Sequence, residues 1–228
     1  MYLAIIPAFN EEKSIGTVIQ ETKKYVDKII IVDDHSTDNT CKIARRSGAI
    51  VICHSTNKGV GAAIRTGIFY AKRLKPEVVI IMDADGQHRP KDIPRLMQPI
   101  IDGNADVVLG SRFLHRQPMN MSMLKIIGNK FLSFITSILT GIKLTDTQSG
   151  FRCLNRKALS VLKLYSDFTY TQEMILNLCH KGLRCVEVPI QAIPRKYGKS
   201  KVVSKISVYA FKVLIILFST YLRLKTCE

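Results

Sequence analysis

The sequence predicts an α/β fold in which helices cover both faces of a mostly parallel sheet. In the first half of the chain, short apolar runs alternate with segments of helical periodicity. The runs are apolar on both faces, and turn-forming residues separate the two kinds of segment. Strands that are apolar throughout are typical of parallel sheets buried between two layers of helices.

Five apolar runs are predicted to form strands: Leu3–Ile6, Lys28–Val32, Ile50–Cys53, Val78–Met82 and Asp106–Leu109. Helical patterns fill the intervals between and after them: Ser14–Val26, Asp38–Ser47, Val60–Arg73 and Lys91–Ile101. The second helix starts in HSTDNT, which is rich in N-cap residues, and we expect Gly48 just beyond its end.

The net charge of +16 is carried mostly by the second half of the chain. Residues 1–110 contain 15 Lys and Arg against 13 Asp and Glu, whereas residues 111–228 contain 19 against 5. The first half is therefore an ordinary α/β sequence. The second half suits an anionic partner, whether nucleic acid, a membrane surface or phosphates.

Cysteine usage and the N-terminus both favour a cytosolic setting. The six cysteines show neither a C-x-x-C motif nor paired metal-ligand spacing, so we expect reduced thiols. The N-terminal run YLAIIP is short and has no basic residue before it. We expect it to form a first strand and not a signal peptide.

Acidic residues follow several predicted strands. The strand ends continue into PAFNEE, VDDHSTD and MDADGQH, and LGSR closes the fifth strand. The carboxyl ends of parallel strands meet at one edge of a sheet, where ligands bind, and clustered carboxylates there need a cation or a donor-rich ligand. Asp83 and Asp85, separated by one small residue, suit Mg²⁺ or Mn²⁺ whose other ligands come from a diphosphate. A dinucleotide cofactor is disfavoured because no G-x-G-x-x-G follows the first strand.

Some residues at this edge allow two interpretations. Asp33 and Asp34 could instead accept hydrogen bonds from a base or a ribose. Gly59 and Gly61 allow a tight turn or a close approach to a nucleotide; they do not form a P-loop, because G-K-[ST] is absent. His88 either adjoins the metal site or belongs to a turn.

Six segments together resemble the GT-A, family-2 inverting glycosyltransferases: PAFNEE, VDDHSTD, NKGVGAA, DADGQH, GSR and DTQSGFR. The sequence looks most like the dolichyl- or polyprenyl-phosphate hexose synthases, the dolichol-phosphate mannose synthase type, over residues 2 to about 201. The resemblance implies a GT-A, Rossmann-like fold. It also implies Mg²⁺- or Mn²⁺-dependent transfer of mannose, glucose or N-acetylglucosamine from a GDP- or UDP-linked sugar. The acceptor would be dolichyl or polyprenyl phosphate at the cytoplasmic face of a membrane.

The resemblance assigns roles to individual positions. The nucleoside pocket would be lined by Pro7, Phe9, Glu11, Val32 and Asp34. The metal and diphosphate site would comprise Asp83, Ala84, Asp85 and Gln87, with Asp83, Asp85 and Gln87 as metal ligands. Phosphate binding and catalysis would fall to Asp85, Arg112, Arg195 and Lys201. Phe9 stands where the family usually has Tyr, which keeps ring stacking but removes a hydroxyl contact.

The acceptor decides which residues the reaction needs. A lipid phosphate is already ionised at neutral pH, so it needs cations to hold two like-charged groups together and no general base. A sugar hydroxyl would need a positioned Asp or Glu base. In that alternative, a soluble family-2 glycosyltransferase, the base is Asp146 of DTQSGFR; otherwise Asp146 orders its loop.

Two segments of the second half are predicted to form helices at a membrane surface. Apolar residues recur at helical spacing at positions 124, 127, 131, 134, 135, 138 and 142, with lysines between them. This pattern suits a helix lying in the membrane interface better than a span. In residues 205–225, Lys205, Lys212 and Arg223 recur on one side of a 19-residue stretch, Ile206–Leu224, that is nearly long enough to span a membrane.

We therefore expect a glycosyltransferase domain over residues 1–203, which includes the interfacial helix within 120–144, and a membrane-associating helix over residues 204–228. The membrane association would be peripheral or monotopic, on an anionic surface. The alternative for both helices is core packing or dimer formation. The alternative for the whole chain is a basic nucleic-acid-binding protein. That alternative leaves the acidic edge unexplained and lacks a recognition motif, so we expect no nucleic-acid partner.

Overall fold

The structure, a computed structural model, describes residues 1–114, 121–197 and 206–226. Seven strands form one sheet in these ranges: β1 Tyr2–Ala8, β2 Lys28–Asp33, β3 Ile50–Cys53, β4 Val78–Ile81, β5 Val107–Ser111, β6 Arg152–Asn155 and β7 Cys185–Pro189. Their order is β3-β2-β1-β4-β6-β5-β7, and β6 runs antiparallel to both neighbours. The mostly parallel sheet and its five predicted strands are confirmed.

The helices described are α1 Ile15–Thr22, α2 Thr40–Arg46, α3 Val60–Leu74, α4 Ile93–Ile101, α5 Met123–Thr140, α6 Arg156–Val161, α7 Thr171–His180 and α8 Ile206–Thr226. The four predicted helices of the first half are confirmed. The first ends earlier than predicted, because the chain turns after Thr22 with a hydrogen bond from the Tyr25 amide to the Thr22 carbonyl. Gly48 has a φ of 77°, as expected for a residue that follows a helix.

Two apolar layers form the core, one on each face of the sheet, because successive residues of a strand point to opposite faces. Leu3 and Ile5 pack on the face covered by α3, α6 and α7. Ala4 and Ile6 pack on the face covered by α1, α2 and α4. The carboxyl-terminal edge of the sheet is left for polar residues.

Helices α5 and α8 pack against α7 and against each other. Each turns a row of large apolar side chains outward, with between 48% and 64% of each side chain exposed. The row on α5 comprises Leu124, Ile127, Phe131, Phe134 and Ile138, and the row on α8 comprises Val208, Phe211, Ile215, Phe218 and Leu222. We call these two rows the outer stripes. Within the described chain, the alternative that these apolar stripes pack into the protein core is therefore wrong.

The two helices differ from the sequence-based expectation in one respect each. Among the described residues, α5 is long and apolar enough to cross a membrane, whereas the sequence favoured an interfacial helix there. Two basic residues of α8 contact the rest of the protein: the ammonium of Lys212, itself an exposed residue, lies 5.0 Å from the Phe168 ring centre, and Arg223 donates to Glu173 at 2.8 Å. The outward face of α8 is consequently the apolar one.

Candidate active site

A cavity of about 650 Å³ opens at the carboxyl ends of the central strands. Strand β1 lies between β2 and β4, so the chain crosses over β1 after forming β3, and the strand order reverses between β1 and β4. In open α/β sheets, such a reversal creates the crevice in which ligands bind. The volume lies within the range of ordinary ligand pockets.

Nine residues predicted from the sequence line this cavity: Pro7, Phe9, Glu11, Asp34, Asp83, Ala84, Asp85, Gln87 and Arg195. Two others do not. Val32 is fully buried in the core, and Arg112 lies on the loop after β5 beside the cavity. Lys201 lies outside the described residues. The structure therefore brings most of the predicted site together around one opening.

Asp34 organises the wall where the nucleoside was predicted. Its buried carboxylate accepts hydrogen bonds from the backbone amides of Lys58, at 2.9 Å, and Gly59, at 2.7 Å. His54 Nδ1 contacts the same carboxylate at 2.7 Å. Asp34 thus fixes the loop before α3, and contact between Asp34 and a ribose or base stays a prediction.

Asp33 points elsewhere. Its carboxylate accepts hydrogen bonds from the amide and the hydroxyl of Ser36. It lies within 4.8 Å of the sulfur atoms of Cys41 and Cys53, away from the residues that line the cavity. Of the two adjacent aspartates, only Asp34 therefore faces the cavity.

Gly59 and Gly61 allow two segments of chain to approach closely. Gly59 has a φ of 97°, and a Cβ at Gly61 would lie 2.3 Å from the Ser166 carbonyl oxygen. The Gly61 amide donates to the carbonyl of Asp167 at 2.9 Å. The contact places Phe168 on the cavity wall.

A cluster of acids and one arginine closes the cavity at the end of β4. Arg195 binds Glu11 and donates to Asp85 at 3.2 Å, while its Nε donates to the Tyr197 carbonyl at 2.7 Å. Burial raises the pKa of the Asp83 carboxyl to about 6, although Arg112 and Arg195 oppose this shift. Burial and the charge of Asp83 also raise the pKa of Asp85. The ionised forms of both carboxyls are therefore disfavoured at this position.

The same residues fit a hard divalent ion. Carboxylates whose ionised form is disfavoured by burial gain most from a cation, and oxygen ligands are those that Mg²⁺ and Mn²⁺ prefer. Although Asp83 lies deep enough in the crevice for desolvation to raise its pKa, 41% of its side chain remains exposed in the cavity, where an ion could reach it. Asp85 is oriented by a 2.9 Å hydrogen bond from the Gln87 amide. Two aspartates leave coordination positions for a diphosphate and water.

His88 is part of the scaffold at this site. Its Nδ1 accepts a hydrogen bond from the backbone amide of Asp83 at 3.1 Å, and its ring stacks on Phe151 with centroids 4.9 Å apart. Burial lowers the pKa of His88 to about 4, so the ring is neutral at physiological pH. His88 holds the start of the aspartate pair in place.

Asp146 is bound by Arg112, the arginine that also influences Asp83. Its carboxylate is fully buried and accepts hydrogen bonds from Arg112 Nε at 2.7 Å, Nη2 at 2.9 Å and the backbone amide at 3.0 Å. Glu187 accepts from the Asp146 amide at 2.9 Å. Arg152, also fully buried, donates to three carbonyls, those of Thr147, Ser149 and Thr171. The DTQSGFR segment is thus a rigid loop held by buried charges.

This arrangement of an acidic crevice, closing arginine and buried ion pair can hold a diphosphate with a divalent ion. Residues 3–162 match the model of Glycosyl transferase family 2. The chain belongs to this family. It is therefore a glycosyltransferase, and the interpretation as a non-enzymatic nucleic-acid-binding protein is wrong.

Relatives of this glycosyltransferase match most of its length. It is 39% identical to a UDP-N-acetylglucosamine–dolichyl-phosphate N-acetylglucosaminyltransferase of Methanococcus voltae, over 86% of this chain and 87% of the relative. It is 30% identical to an undecaprenyl-phosphate mannosyltransferase of Micrococcus luteus, over 87% and 86% of the two chains.

Solved structures confirm the GT-A, Rossmann-like fold of the glycosyltransferase. One is a glucosyl-3-phosphoglycerate synthase of Mycobacterium tuberculosis, crystallised with Mn²⁺ and UDP-glucose. It superposes with a TM-score of 0.75 at 18% identity, over 96% of this chain and 78% of that one. At this identity the likeness concerns the fold.

Sequence reasoning missed several residues of the glycosyltransferase site. Asn57 and Lys58 line the cavity and belong to NKGVGAA, a segment that was used for the resemblance without roles for these two positions. Asp167 and Phe168 also line it, but they stand in no motif. They reach the cavity because their segment packs closely against Gly59 and Gly61. In the sequence, these two glycines were the one available sign of such a close approach.

Proposed function

We propose that this glycosyltransferase moves a hexose from a nucleotide sugar to dolichyl or polyprenyl phosphate at the cytoplasmic face of a membrane. The transfer is metal-dependent and inverts the anomeric configuration. The sugar is mannose, glucose or N-acetylglucosamine, carried by UDP or GDP. The acceptor phosphate is the central part of this proposal, because it determines the chemistry of the site.

The state of Asp146 is the observation that carries the proposal. A sugar hydroxyl acceptor needs a general base, and Asp146 was the candidate. Its carboxylate is fully buried and bound by Arg112 through three hydrogen bonds, so it is poorly placed to take a proton. An acceptor that is already ionised needs no base, which agrees with this arrangement.

Arg112 can serve a phosphate while it binds Asp146. A guanidinium has five N–H donors. The contacts with Asp146 use Nε and Nη2, which leaves the Nη1 protons for a ligand. Since the arginine is oriented by a buried carboxylate, it presents a fixed charge near Asp83, where it opposes the rise in pKa that burial causes.

A groove beside α5 suits the hydrocarbon chain of a lipid acceptor. It has a volume of about 630 Å³ and is lined by residues of α5 and of the segment after it, including Phe113, Lys130, Phe134, Ile138, Lys143 and Thr145. Phe113 and Thr145 are chain neighbours of Arg112 and Asp146, so the groove begins next to the buried ion pair. Phe134 and Ile138 also belong to the outer stripes, which continue the apolar surface outward.

The membrane is the proposed medium for the outer stripes. Contiguous exposed apolar patches built from many large side chains mark contacts with membranes or partners. The second half of the chain carries 19 basic against 5 acidic residues, and each basic residue near anionic lipid contributes about 1 kcal/mol. The outer stripes and this charge together favour a lipid surface.

The donor would bind in the cavity at the end of β1 and β4. Asp83, Asp85 and Gln87 would hold a divalent ion, which neutralises charge developing on the leaving diphosphate. Arg195, already bound to Glu11 and Asp85, would close over the phosphates. In the reaction, a phosphate oxygen of the acceptor bonds to the anomeric carbon from the face opposite the diphosphate. As this bond forms, the bond between the anomeric carbon and the diphosphate breaks, and the diphosphate leaves with both electrons of that bond.

A transfer assay tests the proposal. The full-length protein is incubated with Mg²⁺ or Mn²⁺, dolichyl phosphate in mixed micelles, and a panel of labelled UDP- and GDP-sugars. UDP-N-acetylglucosamine comes first, because the relative from Methanococcus voltae is named for it. We expect label to move into organic solvent. Label that moves only to free sugar acceptors would favour the soluble, hydroxyl-directed alternative.

Asp85→Asn tests the metal site in the same assay. We expect the variant to lose at least about 100-fold in transfer, since several kcal/mol of charge stabilisation depend on the ion. Its thermal unfolding should match that of the wild type, because Asp85 lines the cavity and is not part of the apolar core. Asp102→Asn, an exposed acid after α4, is the matched control with unchanged activity. Near-wild-type transfer by Asp85→Asn would show that the metal assignment is wrong.

A further inference from the structure

Tyr209 connects the C-terminal helix α8 to the wall of the active site. It lies in the first turn of α8, and its ring packs against Phe168, with centroids 5.6 Å apart and planes tilted by 47°. Phe168 lines the cavity. The Tyr209 hydroxyl donates a hydrogen bond of 3.1 Å to Oε1 of Gln148. A helix with an outward apolar face is therefore connected to a polar side chain of the DTQSGFR loop.

Gln148 belongs to the loop that connects the two halves of the proposed site. Two residues before it, Asp146 binds Arg112, and one residue further back Thr145 lines the groove beside α5. Two residues after it, Gly150 lies so close to Asp83 that a Cβ there would be 3.0 Å from the carboxylate. The loop thus runs from the acceptor groove to the acids, and Gln148 is halfway along it.

The amide of Gln148 has one end bound and one end unpaired. Tyr209 occupies Oε1, which leaves the NH₂ group as the other hydrogen-bonding end of the amide. Nε2 is buried and has no hydrogen-bond partner within the part of the chain that the structure describes. A buried, unpaired donor is destabilising, and in a native protein such a group calls for a partner. A phosphate oxygen supplies an acceptor of the required kind.

We propose that Gln148 binds the phosphate of the lipid acceptor through its amide NH₂ and that Tyr209 is the positioning residue that fixes the orientation of this amide. The inference rests on the proposed function, because it takes a phosphate acceptor that reaches the loop from the groove. It assigns α8 a second role besides surface contact: the helix that bears an outer stripe also sets the geometry of the acceptor site.

Two variants separate the roles. Gln148→Glu keeps an oxygen for the Tyr209 hydroxyl but replaces the donor with a group that repels phosphate. Tyr209→Phe keeps the ring against Phe168 and removes only the hydroxyl. Tyr221→Phe, on the same helix but beside a separate pocket with Leu139 and Leu176, is the matched control.

Steady-state kinetics with dolichyl phosphate give the first readout. We expect Gln148→Glu to raise the KM for the lipid phosphate by about 10- to 100-fold, the range for a lost hydrogen bond to a charged group. Tyr209→Phe should raise the same KM by a smaller factor, and the double variant should be no worse than Gln148→Glu alone, because Tyr209 acts through Gln148. The KM for the nucleotide sugar should stay within about twofold in every variant, because neither residue contacts the donor. A rise in the nucleotide-sugar KM, or additive effects in the double variant, would overturn the proposal.

Calorimetric binding of farnesyl phosphate to the full-length protein gives a readout that does not require turnover. Wild-type protein that binds farnesyl phosphate but transfers nothing to dolichyl phosphate would refute the proposed function. The proposal for Gln148 and Tyr209 would still be supported by weaker binding in both variants. Equal binding by wild type, Gln148→Glu and Tyr209→Phe would overturn it, as would no binding by the wild type. If Gln148→Glu does not fold, the decision falls to Tyr209→Phe, whose ring packing is retained.

Discussion

Helices α3 and α8 both approach the cavity, but α3 buries most of its apolar face, whereas α8 exposes an apolar stripe. α3 buries Ala63, Ile64 and Ile68 in the core, and its first residues line the cavity. α8 buries only two large apolar residues, Val213 and Leu217, among the residues whose side chains are described, and leaves its outer stripe exposed. One helix follows the pattern of a soluble protein, and the other reverses it.

The difference marks the surface that we propose to lie against lipid. Two basic residues of α8 contact other parts of the protein and lie outside the outer stripe: Lys212, itself exposed, lies over Phe168, and Arg223 binds the buried Glu173. The outer stripe of α5 has the same spacing, with steps of three and four residues. An apolar face that excludes the helix's own charges is expected at a lipid surface.

The largest expected effect comes from charging the α8 stripe. Phe211→Glu combined with Phe218→Glu should weaken co-sedimentation with anionic liposomes by more than about 100-fold, since each buried Phe contributes about 1.5–3 kcal/mol. Phe69→Glu is the matched control: Phe69 is 52% exposed on α3 and should leave liposome binding unchanged. Equal losses in both variants would break the distinction between the two helices.

Substitutions are preferable to removing α8. The helix buries Val213 and Leu217 and supplies the partner of the buried Glu173 carboxylate. A protein without residues 204–228 would expose the matching surface of α7 and lose stability together with membrane binding. The stripe variants change only the outward face, so their thermal unfolding should match that of the wild type.

The second prediction concerns the loop that α8 contacts. Asp146→Asn removes the charge of a fully buried partner of Arg112 and should lower the free energy of unfolding by about 3–5 kcal/mol. Urea unfolding measures this, with the exposed Asp102→Asn as the control. If Asp146 were instead a general base, stability would hardly change and only the transfer rate would fall. That outcome would favour the alternative in which the acceptor is a sugar hydroxyl and Asp146 is its general base.

Most of the fold and of the acidic edge could be predicted from the sequence because their signals are local. Apolar runs of strand length and the motif after β4 lie in continuous segments, so Asp83, Asp85 and Gln87 could be named before their neighbours were known. The antiparallel strand β6 could not be predicted, since nothing in residues 152–155 indicates whether the strand runs parallel or antiparallel to its neighbours. Pairing with β4 and β5 sets that direction.

What the sequence could not provide were partners distant along the chain. Lys212 appears as a charge inside an apolar segment until the structure places it over Phe168, 44 positions earlier. Asp146 could be a base or a scaffold until its contact with Arg112 is seen. The contact between Tyr209 and Gln148 spans 61 positions. Each of these depends on packing between α8, α7 and the loops, for which periodicity carries no information.

The third prediction tests whether a cation from the C-terminal half completes the acidic edge of the N-terminal half. Arg195→Ala should lower transfer by about 10- to 100-fold, because one charge-assisted contact to phosphate is lost. We expect Lys201→Ala, at a position outside the described residues, to act in the same direction. Arg184→Ala is the control, as Arg184 is exposed and pairs with Asp106 near the opposite edge of the sheet. Full activity of Arg195→Ala at saturating nucleotide sugar would show that the acids need no such partner.

The smallest expected effect examines the inward face of α8 directly. The Glu173 carboxylate is 1% exposed and accepts hydrogen bonds from the amides of Tyr165 and Ser166 as well as from Arg223. Arg223→Met should therefore lower the free energy of unfolding by about 1–2 kcal/mol, less than a fully buried pair would, because Arg223 is itself 35% exposed and two backbone donors remain.

Liposome binding by Arg223→Met distinguishes the two possible faces. If Arg223 faced lipid, its loss would cost about 1 kcal/mol of membrane affinity, roughly a fivefold weaker binding. Because it faces Glu173, we expect unchanged co-sedimentation and a lower urea midpoint. Arg73→Met provides the comparison on α3, where the arginine lies 4.2 Å above the exposed Phe69 ring and should affect neither quantity measurably. Weaker liposome binding with unchanged stability in Arg223→Met would mean that the charged face of α8, and not its apolar stripe, meets the membrane.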